Sequence, residues 1–251
     1  MNTFLLNIQK LQDYSFLLFD IIKGFPSSLK YRNETLKEMY WIGASAFKLV
    51  FIGGLFEGII LAIETGHQLD LFGAKTLVGR TVSLGMIREL GPVITGLLLA
   101  ARTGAKNASE IGAMQLSEQI DALRAFGTSP IQKLIVPRTV AAVIMFLPLT
   151  LIADIVGIVG GMVVTKLSLH VDTSFFWNSA INALGMKDII IGYLKPVFFG
   201  FFISTISCYY GYTTKGGTTG LGKSTINAVV VSSLIVIILD FVFAKIIWEL
   251  F

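Results

Sequence analysis

The stretch Gly217-Thr-Thr-Gly-Leu-Gly222-Lys223-Ser224 spells the loop that cradles nucleotide phosphates, with a lysine for the β- and γ-phosphates and a hydroxyl for magnesium. That chemistry needs a buried strand ahead of the loop and a helix behind it, inside an α/β sheet. Here an apolar run long enough to cross a membrane precedes the motif, and another follows it. Residues 236–240 imitate the apolar strand ending in aspartate that often partners such a loop, but they fall inside the second run. A helix cannot supply the parallel sheet, so the spelling reads as a tight cytoplasmic turn in which Lys223 is a charge anchor.

A second set of chemistry-bearing residues stands where charge is costly. Lys48, Glu57, Arg88, Glu89, Asp154, Lys195 and Asp240 all interrupt apolar runs. Each costs about 2.5 to 3.5 kcal/mol at mid-membrane, so each must face protein, water or a polar ligand. Lys48 and Lys245 lie near the ends of their runs, where a long side chain reaches back to the surface. Arg88 and Glu89 are neighbours, about 100° apart on a helix, and so point at different partners. Gly91-Pro92 just beyond them loosens the hydrogen-bond ladder. Two readings fit: a kinked helix lining a cavity, or an ion pair to another span, with Glu57 and Asp240 as candidate partners.

These residues are carried by an all-α integral membrane chain. Of 251 residues 54% are hydrophobic and only 14% charged, outside the balance of a soluble domain. Five apolar segments, residues 41–63, 82–101, 139–165, 189–210 and 226–248, are long enough to span a bilayer. The short loops between them indicate one transmembrane domain, residues 1–251, with no soluble domain. Residues 1–30 read as an interfacial helix, with Phe4, Ile8, Leu11 and Leu18 near helical spacing and Asp13 and Asp20 ruling out a cleaved signal. Basic residues crowd the N-terminal region, the loop between spans two and three, and the last loop. That places the N-terminus in the cytoplasm and the C-terminus outside. The lone Cys208 offers neither a disulfide nor a metal-ligand spacing, and no basic run with aromatics suggests nucleic acid.

The loop segment 117–136 reads as two short helices, with Ser117 capping the first, Gly127 ending it, Pro130 opening the second and Pro137 closing it. On a helical wheel Glu118, Asp121 and Arg124 share one arc and Gln119, Ile120, Leu123 and Phe126 the other. A partner-docking helix and an interfacial helix both carry that pattern. Small residues four apart, Gly54/Gly58, Gly96/Ala100, Gly157/Gly161 and Gly200/Ser204, offer close-packing faces and suggest a homodimer.

The run from Leu84 to Arg138, beginning LGMIRELGPVITG, together with GGTTGLGKSTINAVVVSSLIVIILD, resembles the MlaE/YrbE permeases, membrane subunits of MCE-type lipid ABC transporters. In that family a glycine-rich turn before the last span is regular, usually without Lys223. The resemblance implies a homodimer of five-span subunits in a bacterial inner membrane, each docked on a cytoplasmic ATPase subunit and capped by a periplasmic hexamer of MCE proteins. ATP would be bound by the partner, with no catalytic residue, cofactor or metal in this chain. Glu118, Gln119, Asp121, Ala122, Leu123 and Arg124 would form the coupling helix. Leu61, Leu69, Phe72, Arg88 and Glu89 would lie on or near a lipid cavity formed by spans one, two and five, and the substrate would be a phospholipid or related lipid. Glu64 and Gln68 depart from the family's usual residues at the cavity mouth. The competing class is an ion-coupled transporter or channel using Glu57, Glu89, Asp154 and Asp240 as a relay.

Overall fold

The computed structural model describes residues 3–250, which form helices joined by short turns, with no strand among them. In chain order the helices are α1 (Thr3–Gly24), α2 (Arg32–Leu71), α3 (Val78–Gly85), α4 (Gly91–Leu99), α5 (Ala105–Leu116), α6 (Gln119–Ala125), α7 (Val136–Leu169), α8 (Thr173–Ala183), α9 (Met186–Tyr212) and α10 (Gly217–Leu250). Turns of π-helix at Met86–Leu90 and Ala100–Gly104 follow α3 and α4 in sequence without a non-helical residue between, and another at Ile131–Ile135 leads into α7. Five helical stretches among the described residues are long and apolar enough to cross a membrane: Arg32–Leu71, Lys75–Leu116, Ile131–Leu169, Met186–Tyr212 and Gly217–Ile246. They match the five expected spans, each extended at one or both ends because a helix continues through polar residues beyond the apolar stretch, Glu, Lys, Arg and Gln among them being good helix formers. The side chains of Phe4 and Trp248 lie outside the described residues.

The chain divides into two compact units. The first holds residues 1–42, 99–144 and 200–235. Its core packs Leu17 and Ile21 of α1 with Ile111 of α5, Ile120 of α6, Ile135, Val136, Cys208 and Tyr209. Tyr14 adds a hydrogen bond to Thr205, 2.9 Å long, and burial pushes its phenol up to about 12. Also here, Lys106 and Arg138 share the carboxylates of Glu38 and Glu110 at 2.6 to 3.6 Å.

The second unit holds residues 43–98, 145–199 and 236–251. Its core joins Ala62, Val78, Val82, Met86, Phe176 and Ala180, with Leu61 and Leu69 packed against them. α2 and α7 touch backbone to backbone: a Cβ on Gly58 would fall on the main chain of Gly157, and one on Gly54 on Ala153. The small-residue pairs Gly54/Gly58 and Gly157/Gly161 are therefore consumed inside the subunit, by each other.

Two local expectations need correction. Residues 217–224 are not a loop but the opening turns of α10, with only Gly216 (φ 89°) and Gly217 (φ 68°) in the left-handed region that turns the chain. The motif is helical from its first residue, so the strand followed by a curled loop that a phosphate site requires is not formed among the described residues. The segment 117–136 holds one short helix, α6, not two. Ser117 closes α5, its hydroxyl bonding the Ala113 carbonyl at 2.9 Å, and Glu118 stands before α6 in a left-handed conformation (φ 60°) without capping it through its side chain. Gly127 (φ 70°) does end α6. Pro137, expected to close a helix, is the second residue of α7. There its missing N–H follows the π turn Ile131–Ile135, and the wider turn relieves the clash of its ring with the carbonyl four residues back.

Candidate functional site

The same device builds the charged site of the second unit. Pro92, second residue of α4, has no N–H to give the Arg88 carbonyl four residues earlier, and the chain answers with the π turn Met86–Leu90. The freed carbonyls turn toward α9. There Gly192 has no side chain, and a Cβ would collide with the Ile87 carbonyl. One turn on, Lys195 sends its ammonium to the Arg88 carbonyl at 2.7 Å. A proline thus costs the helix a hydrogen bond, and a lysine from a neighbouring helix restores it.

Lys195 is fully buried, and its other two protons go to Glu89 Oε2 at 2.6 Å and Asp240 Oδ1 of α10 at 2.7 Å. An ammonium has three donors, and all three are taken. The neighbouring Arg88 points elsewhere, as the 100° step between adjacent residues requires. Its Nε donates to Asp188 Oδ1 at 2.6 Å, and Nη2 pairs with the same oxygen. Asp188 is buried, and its second oxygen accepts the Gly185 amide at 2.8 Å, which fixes the carboxylate. Arg88 and Glu89 themselves remain 47% and 41% exposed, so each is held from behind and open in front.

Asp154 of α7 is the third element. It is 1% exposed, and Oδ1 occupies the space that a side chain on Gly91 would fill. Neither oxygen makes a hydrogen bond of ordinary length among the described residues, and the Tyr193 hydroxyl is the group it interacts with. No group of three or more His, Cys, Asp or Glu suited to a metal occurs among the described residues. What the arrangement offers is fixed charge at the edge of apolar helices, a device for holding a polar group beside grease.

Of the residues expected at a lipid cavity, Arg88 and Glu89 stand together, and Leu61 and Leu69 pack on one core cluster. Phe72 lies past the end of α2 and is 84% exposed. Asp240, one expected partner, does join the cluster, through Lys195. Glu57, the other, has no ion pair among the described residues. Asp188 and the bridging role of Lys195 were not foreseen. A lysine in mid-span was the available signal for the second, and Asp188, at the mouth of a span, gave none.

In the first unit α6 is pinned by Ile120, wholly buried, while Glu118, Gln119, Asp121, Ala122 and Arg124 are exposed and Leu123 is half-buried. Phe126, expected beside Ile120 on the apolar arc, is 84% exposed because it lies past the last helical residue, where the chain swings into Gly127. Arg124 donates to the Tyr212 hydroxyl and pairs with Asp121 at 2.6 Å, and chiefly the tyrosine contact raises its guanidinium above the usual range.

A family model described as Permease MlaE matches residues 35–246. A probable ABC transporter permease protein of Rickettsia typhi is 35% identical over 93% of this chain and 91% of its own. The intermembrane phospholipid transport system permease protein MlaE of Haemophilus influenzae is 34% identical over 92% and 89%. The chloroplastic protein trigalactosyldiacylglycerol 1 of Arabidopsis thaliana is 35% identical over 90% of this chain and 63% of its own. With the helical architecture and the charged turn after Met86 already in place, the conclusion is that this chain belongs to the MlaE permease family, membrane permeases of ABC transporters.

Proposed function

We propose that the chain is the non-catalytic membrane subunit of a transporter that moves phospholipid or a related lipid between the bacterial inner membrane and a periplasmic MCE protein, driven by ATP bound on a separate cytoplasmic subunit. The observation that carries the reading is the pair Arg88 and Glu89, each anchored by a buried partner and each half open in an otherwise apolar stretch. Such a site suits an amphiphile, whose chains need apolar surface and whose head needs fixed charge.

The working unit in this reading is a homodimer. Residues Glu118 to Arg124 dock the ATPase, the N-terminus is cytoplasmic and the C-terminus periplasmic, and a hexamer of MCE proteins caps the outer face. Purification of the complex followed by mass spectrometry of bound lipid tests the reading. Phospholipid should co-purify with the parent protein and fall several-fold in Glu89→Gln, a change that keeps the hydrogen bond to Lys195 and removes the charge. An equal lipid content in both would remove Glu89 from the site. A complex that carries no lipid and turns over ATP regardless of lipid would overturn the function.

A further inference from the structure

The close approach of α2 and α7 has a second consequence. Where Gly54 and Gly58 meet Ala153 and Gly157, the backbones lie too near to admit a side chain between them, and a furrow runs along the same helix pair. Gly160 deepens it, since a Cβ there would press on Leu55 and Ile59. Two hollows lie in line along the same helix pair. One, about 360 Å³, is lined by Phe47 and Lys48 of α2 with Met145, Pro148 and Ile152 of α7 among others. The next, about 420 Å³, is lined by Phe51, Leu55 and Ile59 with Ile155, Val159 and Val163. At 1.5 Å per residue, Gly43 to Ile59 extends about 24 Å, most of the roughly 30 Å hydrocarbon core.

Among the residues lining both hollows Lys48 alone is charged. It is exposed and makes no ion pair among the described residues. Side chains on a helix tilt toward its N-terminus, so the Lys48 ammonium reaches back along the groove toward the nearer membrane surface.

We propose that the α2–α7 groove is a lipid-binding site separate from the Arg88–Glu89 site, taking one acyl chain of an anionic phospholipid whose phosphate meets Lys48. Lipid tails are as apolar as the groove, so the chain gains only packing there, and the discrimination comes from the lysine. The inference rests on the membrane reading above and not on transport.

The full-length protein, with whichever subunits assemble with it, is placed in nanodiscs containing phosphatidylglycerol or phosphatidylcholine with a photoreactive acyl chain, then irradiated and mapped by peptide mass spectrometry. Labels from phosphatidylglycerol should concentrate on residues 43–59 and 145–164 more strongly than labels from phosphatidylcholine. Lys48→Gln should cut that labelling about fivefold, the worth of one lysine near a membrane surface, and leave the phosphatidylcholine signal within about twofold. Val159→Trp, which fills the groove from its exposed rim, should lower both signals, whereas Leu194→Trp on the lipid-facing side of α9 should lower neither. Equal groove labelling by the two lipids, or a phosphatidylglycerol signal unmoved by Lys48→Gln, overturns the proposal. No ATP is present, so a failed transport reading leaves this result standing.

Discussion

Removing the Lys195 ammonium strands three acceptors at once: the Glu89 and Asp240 carboxylates and the Arg88 carbonyl. Breaking a buried pair from one side costs about 3 to 5 kcal/mol. Glu89 is 41% exposed against 20% for Asp240, so the loss comes mainly from Asp240 and the carbonyl. Lys195→Met should therefore lower the melting temperature in detergent sharply, and adding Glu89→Gln and Asp240→Asn should recover much of it, because the uncompensated charges go. A triple variant no better than Lys195→Met would mean the cluster is held by something other than charge. That Arg88 and Glu89 need partners was legible from cost alone. Which partners they take was not, because Lys195 and Asp188 lie about a hundred residues away and meet them only through packing.

At the scale of elements, Glu118 lets stability be tested apart from the proposed coupling role. A non-glycine residue in the left-handed region costs about 1 to 2 kcal/mol, so Glu118→Gly should leave the protein as stable or slightly more so by thermal melting. Glu118→Lys should weaken co-purification of the ATPase without lowering the melting temperature; if association survives the charge reversal, the docking assignment fails. α2 and α7 are tied together differently, through bare backbone. Gly58→Val should cost about 1 to 3 kcal/mol or more, since the clash is with main chain that cannot turn away. At the start of α8, Asp172 accepts the Ser174 amide and hydroxyl at 2.7 Å, which holds its carboxyl below the ordinary carboxylate value. That cap is intact above about pH 4 and is lost as acid protonates it at lower pH, so the carboxyl should titrate late by NMR. Span existence was readable from apolar runs, but span ends were not. Hydropathy sees only the hydrocarbon thickness, and α10 begins at Gly217 through glycines and threonines that spell a loop.

For the whole molecule the single cysteine is an asset. Cys208 is fully buried, so it should be a silent background for accessibility labelling. In intact cells stripped of their outer envelope, an impermeant maleimide should modify Ser174→Cys and miss Ser129→Cys until the membrane is opened; the reverse pattern would invert the proposed topology. The membership of a permease family was written along most of the chain, which is why the short phosphate-loop spelling carried so little weight against it. The division of labour between subunits is the central claim, and ATP-dependent transfer of a fluorescent phospholipid from proteoliposomes tests it most directly. With the ATPase subunit present, transfer should proceed equally in the parent protein and in Lys223→Ala, and it should stop when that subunit is left out. Transfer and ATP turnover by this chain alone, abolished by Lys223→Ala, would contradict the account.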